Sequence, residues 1–275
     1  VQIRPHDVAT VGEIMIVDIQ FNQGAADWPR MRELVLAADE AGFGTLWNLD
    51  HYSGTMFGAD SMNECFSSLS AWAAVTSTIK VGTLVTNVMN RSAGLLAVSA
   101  ATVQNISGGR FTLGVGAGAA PGSPWGAEQD ALGMAMLPTM AERHGRLAEV
   151  VEEMRLILSP SRDPKFDGFP MTSAPIPTIV GVNSEALARY AGRHCDGVNV
   201  GFHHEKRAEF VRVAREEAGS KPFDASVWDF FSPEMCDPDH PANVAHRRTG
   251  VDHTILLVKG APDPSVIADC ARYLR

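Results

Sequence analysis

The feature that most constrains this chain is an alternation of eight short apolar runs with segments of helical or loop character. The runs cover residues 14–19, 45–50, 81–85, 111–116, 178–182, 197–200, 226–231 and 254–258. Each is rich in Val, Ile, Leu or Phe, which is how strands buried on both faces read. Helices fit between them. Asp27 can cap one, Pro29 falls in its opening turn, Met31, Leu34, Val35 and Ala38 keep helical spacing, and Gly42 closes it. Residues 140–158 carry Leu147, Val150, Val151, Met154 and Ile157 on one stripe. A third helix opens at Ser184, carries Leu187, Tyr190 and Ala191, and is expected to stop before Gly192. Eight such alternations predict an α/β fold, a single (β/α)8 TIM barrel over residues 1–275, with an open doubly wound sheet as the competing arrangement. Residues 119–137, in the longest gap, are rich in Gly, Ala and Pro without a period, and read as an extended active-site loop after the fourth strand.

Charge narrows the partners. Lys and Arg total 23 against 32 Asp and Glu, a net charge of −9, and no basic run occurs. Such a chain is a poor candidate for nucleic acid or an anionic membrane surface. Its apolar stretches fall well short of the roughly 20 residues a membrane span needs. Residues 1–6 lack the charged-then-apolar order of a signal peptide and do not begin with Met, so residues can be missing there. Four dispersed cysteines, without a C-x-x-C pair, suit free thiols in a reducing cytoplasm. Cys236, Asp237, Asp239 and His240 crowd together, but their spacing fits no zinc pattern, and a loop is the expectation.

In barrels of this kind the reactive groups come from strand C-terminal ends and the loops after them. The second strand ends in Asp50-His51, where an imidazole beside a carboxylate can move a proton, or where both can simply cap the loop. Arg91, after the third strand, can meet an anion, although a surface arginine paired with a helix is the commoner case. The fourth strand runs into Gly114-Val115-Gly116-Ala117-Gly118, whose glycines let backbone approach a flat or charged group. They follow the fourth strand rather than the first and open no periodic helix, so a Rossmann fingerprint is not indicated. The fifth strand ends in Gly181-Val182-Asn183-Ser184, where a helix N-terminus can hold a phosphate or Ser184 can act as a plain cap. Val200-Gly201 closes the sixth strand nearby. His203-His204 is expected to cap the following helix, and Lys259, just past the eighth strand, reads as solvated.

Taken in order, these blocks resemble the luciferase-like monooxygenase superfamily, including its coenzyme F420-dependent oxidoreductases. The resemblance spans nearly the whole chain, from Ala37-Ala38-Asp39-Glu40-Ala41-Gly42-Phe43 and Leu46-Trp47-Asn48-Leu49-Asp50-His51, through Gly82-Thr83-Leu84-Val85, Asn90-Arg91 and Ser107-Gly108-Gly109-Arg110-Phe111, to Arg146-Leu147, Gly181, Ser184 and Asp196-Gly197. It implies a homodimeric (β/α)8 barrel with His51 as the active-site histidine and Asp50 as its neighbouring carboxylate. It further implies a non-proline cis peptide at Leu84–Val85, with Leu84, Val85, Asn87, Gly116, Ala117 and Gly118 beside the ring. Gly181, Val182, Asn183, Ser184, Val200 and Gly201 would stand around the phosphate. One departure stands out: Ala119 occupies the place where deazaflavin-dependent sugar-phosphate dehydrogenases carry a proton-donating glutamate.

The function expected from this resemblance is hydride transfer between coenzyme F420 and a small organic substrate, with no metal. An FMN-dependent monooxygenase using reduced flavin and oxygen is the alternative. A flavin-binding protein without turnover and a Schiff-base aldolase using Lys259 are more distant readings.

Overall fold

In the computed structural model, residues 14–274 are described; the expectation for residues 1–6 lies outside them. Eight strands, β1 (Ile16–Phe21), β2 (Thr45–Asn48), β3 (Lys80–Asn87), β4 (Phe111–Gly116), β5 (Thr178–Gly181), β6 (Gly197–Gly201), β7 (Asp224–Phe230) and β8 (His253–Val258), close into one barrel in sequence order. All pairings are parallel, including the closing pair of β1 with β8. The competing open sheet is excluded. Ten helices accompany them among the described residues: α1 (Trp28–Ala41), α2 (Cys65–Val75), α3 (Ala93–Ile106), α4 (Ala127–Ala131), α5 (Met140–Leu158), α6 (Glu185–His194), α7 (Arg207–Ala218), α8 (Pro241–Arg247), α9 (Pro264–Ala268) and α10 (Ala271–Leu274).

The strands bury two faces, and β1 shows how. Val17, Ile19 and Phe21 join the large core between sheet and helices. Asp18 and Gln20 alternate with them and face the barrel axis. There the Trp47 indole donates to Asp18 Oδ2 at 3.1 Å, His253 Nδ1 lies at 3.1 Å from the same oxygen, and the Gln20 amide donates to the Leu84 carbonyl at 2.9 Å. Trp47, Leu84, Ile179 and Ile255 fill the axis above as a separate small cluster. Gly82 is required beside it, because a Cβ there would meet the Trp47 ring at 2.4 Å.

Local signals read well at α1, where Asp27 accepts from the Arg30 amide and Gly42 takes a left-handed φ of 94°. Helix α5 covers the expected residues and is opened by a capping box between Thr139 and Glu142. Three expectations shift. Strand β1 starts two residues later than residue 14, where the Ile16 amide first pairs with the Asp252 carbonyl. Helix α6 runs through Gly192 to His194, because that glycine is a close approach and not a stop: a Cβ there would sit 2.2 Å from the Ala214 carbonyl of α7. The loop after β4 carries a 3-10 turn at Pro124–Gly126 and the short helix α4, both too brief to show a period. All four cysteines are free and buried. No helix among the described residues is long and apolar enough to cross a membrane, and no group of metal-ligating residues occurs among them.

Candidate active site

A cavity of about 670 Å³ opens at the C-terminal ends of the strands, within the size range of small-molecule sites. Of the residues singled out in the sequence, His51, Leu84, Val85, Ala117, Gly118, Gly181, Val182, Asn183 and Gly201 line it. Asp50, Asn87, Gly116, Ser184 and Val200 do not.

Each exception has a physical reason. Asp50, with a side chain only 2% exposed, turns away to Arg91, which donates from Nη1 and Nη2 at 2.7 Å each. The Asn87 amide adds a bond at 2.8 Å, so Asn87 acts through its backbone. Arg91 is therefore no surface arginine. Burial works against its charge, but the Asp50 carboxylate outweighs this and raises its pKa, while the guanidinium also lies 4.9 Å from the Phe66 ring centre. Asp50 and Arg91 together tie the end of β2 to the end of β3. Gly116 gives clearance to a neighbour: a Cβ there would lie 2.5 Å from Val85 Cγ2, and one at Gly181 would lie 3.1 Å from Val85 Cγ1. Val85 thus nests between β4 and β5, next to a Leu84–Val85 peptide that is cis as the resemblance implied. Ser184 caps α6 by accepting from the Leu187 amide at 3.3 Å, and Leu187 reaches the cavity in its place. Val200 faces the outer core.

The decisive contact escaped sequence reasoning. His51 Nδ1 lies 2.9 Å from Glu128 Oε1, across 77 residues. The Tyr52 and Ser53 amides donate to Glu128 Oε2 at 2.8 and 2.9 Å, and Gln129 donates to Oε1 at 3.1 Å. A carboxylate so placed accepts the Nδ1 proton, which leaves Nε2 as the free ring nitrogen of a side chain in the cavity wall. The only sequence signal was an isolated Glu-Gln pair within an Ala- and Gly-rich segment. Around His51, Phe57 and Trp125 stand with ring centres at 4.8 and 6.1 Å. Across the cavity, Trp228 and Phe230 form a second aromatic wall. Lys259 is exposed as expected, yet its Nζ lies 3.9 Å from the Phe230 ring centre at the cavity rim. The loop at Cys236-Asp237-Asp239-His240 is a turn leading into α8, with the His240 ring accepting from the Ala242 amide.

Fold and cavity define a (β/α)8 barrel with a ligand site at its strand C-terminal ends. A profile of the luciferase-like monooxygenase family matches residues 14–248, and the chain belongs to that family. It is 31% identical over 189 residues to a 5,10-methylenetetrahydromethanopterin reductase of Methanolobus tindarius, covering 67% of this chain and 53% of that protein. It is also 31% identical over 180 residues to an F420-dependent glucose-6-phosphate dehydrogenase of Segniliparus rotundus, covering 60% of this chain and 52% of the relative. The matches thus span about half the length of these relatives. Among solved structures, the coenzyme F420 dependent tetrahydromethanopterin reductase of Methanopyrus kandleri superposes with a TM-score of 0.70 at 17% identity, over 96% of this chain and 99% of that one.

Proposed function

We propose that this protein is a coenzyme F420-dependent oxidoreductase that moves hydride to or from a small organic substrate. The observation that carries the reading is His51, fixed in the cavity wall by Glu128 and lining the same cavity as Leu84 and Val85. The names of the relatives support the choice of cofactor.

The cavity fits the group. Its volume of about 670 Å³ suits a tricyclic ring with a side chain. Leu84 and Val85 offer a flat apolar face, and Gly118 and Gly181 keep side chains out of its edge. Gln20, Asn22 and Asn199 supply a few polar groups for orientation. Gly181, Val182 and Asn183, beside the α6 N-terminus that Ser184 caps, would hold the cofactor's phosphate end.

When bound, the deazaflavin supplies hydride transfer without oxygen activation. The chain's own residues do the rest. His51 Nε2 exchanges a proton with the substrate oxygen or nitrogen, and Glu128 fixes the ring tautomer that makes this possible. Phe57, Trp125 and Trp228 hold an apolar substrate portion and exclude water. Asp50 acts at a distance, by holding the β2 and β3 ends through Arg91. Glu128 reaches the histidine although Ala119 stands at the familial glutamate position, and the reading therefore does not extend to sugar-phosphate dehydrogenation. A cytoplasmic homodimer belongs to the same proposal, and light scattering of the purified protein tests the dimer.

The test is a parallel fluorescence titration with F420 and FMN, each oxidised and reduced. Retention of F420 in preference to FMN supports the reading. Preference for reduced FMN, with oxygen consumption, replaces it by the monooxygenase.

A further inference from the structure

A folded chain ordinarily turns polar side chains to water and keeps apolar ones inside. This cavity reverses the order. Its buried polar groups are Gln20, Asn22 and Asn199, none more than 5% exposed, while Met56, Trp125, Met140 and Phe230 line it and are 39% to 52% exposed. No carboxylate is among the lining residues. The four exposed apolar residues come from separate parts of the chain. Met56 belongs to the 3-10 turn after β2, Trp125 to the 3-10 turn after β4, Met140 opens α5, and Phe230 ends β7. Apolar residues scattered singly over a surface need no explanation, but a set gathered on one concave opening marks a binding surface.

Trp125 shows that the exposure is built into the fold. Its ring centre lies 6.1 Å from that of His51 and 6.2 Å from that of Phe57. The turn that carries it is tied down on both sides. Before it, the Ser123 hydroxyl donates to the Ala120 carbonyl at 2.7 Å; after it, the Gly126 amide donates to the Ser123 carbonyl at 2.9 Å. Three residues further on, Glu128 holds the loop to the Tyr52 and Ser53 amides. An indole fixed beside the histidine and left half in water offers a large, rigid contact face at little entropic cost. Of the cations in the wall, Arg143 donates to the Leu137 and Pro138 carbonyls, and Lys259 lies over the Phe230 ring.

Resting on the proposed oxidoreductase, we infer that Met56, Trp125, Met140 and Phe230 form an apolar collar that selects an uncharged substrate with a hydrophobic body and a single hydroxyl or carbonyl head. The head reaches His51, and the body fills the mouth and covers the collar. Trp125 is the principal specificity-determining residue. Affinity therefore grows with the length of the apolar body, and a charge at its far end is rejected.

The experiment is calorimetric titration of the protein, with and without F420, using three probes: methyl ethyl ketone, methyl hexyl ketone, and the keto acid of the latter's length with its carboxylate at the far end. Wild type, Trp125→Ser, Trp125→Phe and Leu95→Ser are compared, the last removing an exposed leucine of α3 that does not line the cavity. In wild type, four added methylenes should tighten binding at least about tenfold and make the heat-capacity change more negative. Trp125→Ser should weaken methyl hexyl ketone about tenfold while holding methyl ethyl ketone and F420 within about twofold, Trp125→Phe should recover part of the loss, and Leu95→Ser should change nothing. Equal affinity for the two ketones in a protein that retains F420 overturns the collar and leaves the cofactor standing. The expected ketone series in a protein that retains no F420 supports the collar and overturns the cofactor. Tighter binding of the keto acid than of methyl hexyl ketone overturns the inference in favour of an anion read by Lys259. A Trp125→Ser protein that changes oligomeric state by light scattering, with ketone affinities unchanged, overturns it in favour of a second copy covering the collar.

Discussion

Replacing Arg91 by Met tests whether Asp50 serves the fold or the chemistry. Arg91 and Asp50 have side chains only 6% and 2% exposed, and they share two bonds of 2.7 Å. Methionine fills much of the volume beside Phe66 but leaves the carboxylate with only the Asn87 amide at 2.8 Å and the Asn90 side chain at 3.3 Å. Breaking a buried pair from one side costs about 3–5 kcal/mol. For a chain of this size that is a loss of roughly 10 °C in melting temperature. Urea unfolding followed by circular dichroism reads the first figure and scanning calorimetry the second. Adding Asp50→Asn should restore part of the loss, because the double variant no longer buries an uncompensated charge. A cost below about 1 kcal/mol, the range of a surface pair, would refute the argument. So would an Asp50→Asn protein of full stability and no turnover, since the carboxylate would then be chemical.

Three further outcomes are expected. Glu128→Gln removes a charge-assisted bond from His51 and should lower turnover about 10- to 100-fold, with little change in cofactor affinity; titration beside steady-state kinetics separates the two. His51→Ala should lower turnover at least as much, again sparing affinity, and a pure affinity loss would count against a proton-transfer role. At the barrel floor, burial opposes charge on His253, but Asp18 at 3.1 Å outweighs it, and Asp224 and Asp252 add to the rise in pKa. A raised folded-state value means a stabilisation complete below the ordinary 6.5 and lost as pH climbs through the folded value. The stability gap between wild type and His253→Gln should accordingly narrow from about pH 5 to about pH 8, and a widening gap would reverse the sign.

Much of the barrel was legible because two-sided burial writes itself into sequence as unbroken apolar runs, and all eight strands occur in the expected order. Helix ends were legible where a cap is local, as at Asp27, Gly42 and Ser184. Long-range closure was not. Glu128 meets His51 only because the loop after β4 folds back over β2, and five residues of helix leave no periodic trace. Glycines were the other source of error, since composition does not reveal what they make room for. Gly192 serves α7, and Gly116 serves Val85, although both sit where a stop or a ligand contact is a reasonable reading. The direction of Asp50 was hidden for a related reason. Beyond Asn48 the strand alternation ends, and nothing in the order of residues tells which way a carboxylate turns.

The nesting of Val85 has an evolutionary corollary. Trimming it to alanine would release room at 116 and 181, so Gly116→Ala, damaging alone, becomes tolerable in company with Val85→Ala. Position 114 has no such escape, because there a Cβ would strike the Thr83 carbonyl at 2.1 Å, and backbone cannot be pruned. Drift among relatives of this chain should therefore exchange bulk between 85 and its two yielding partners while 114 stays bare.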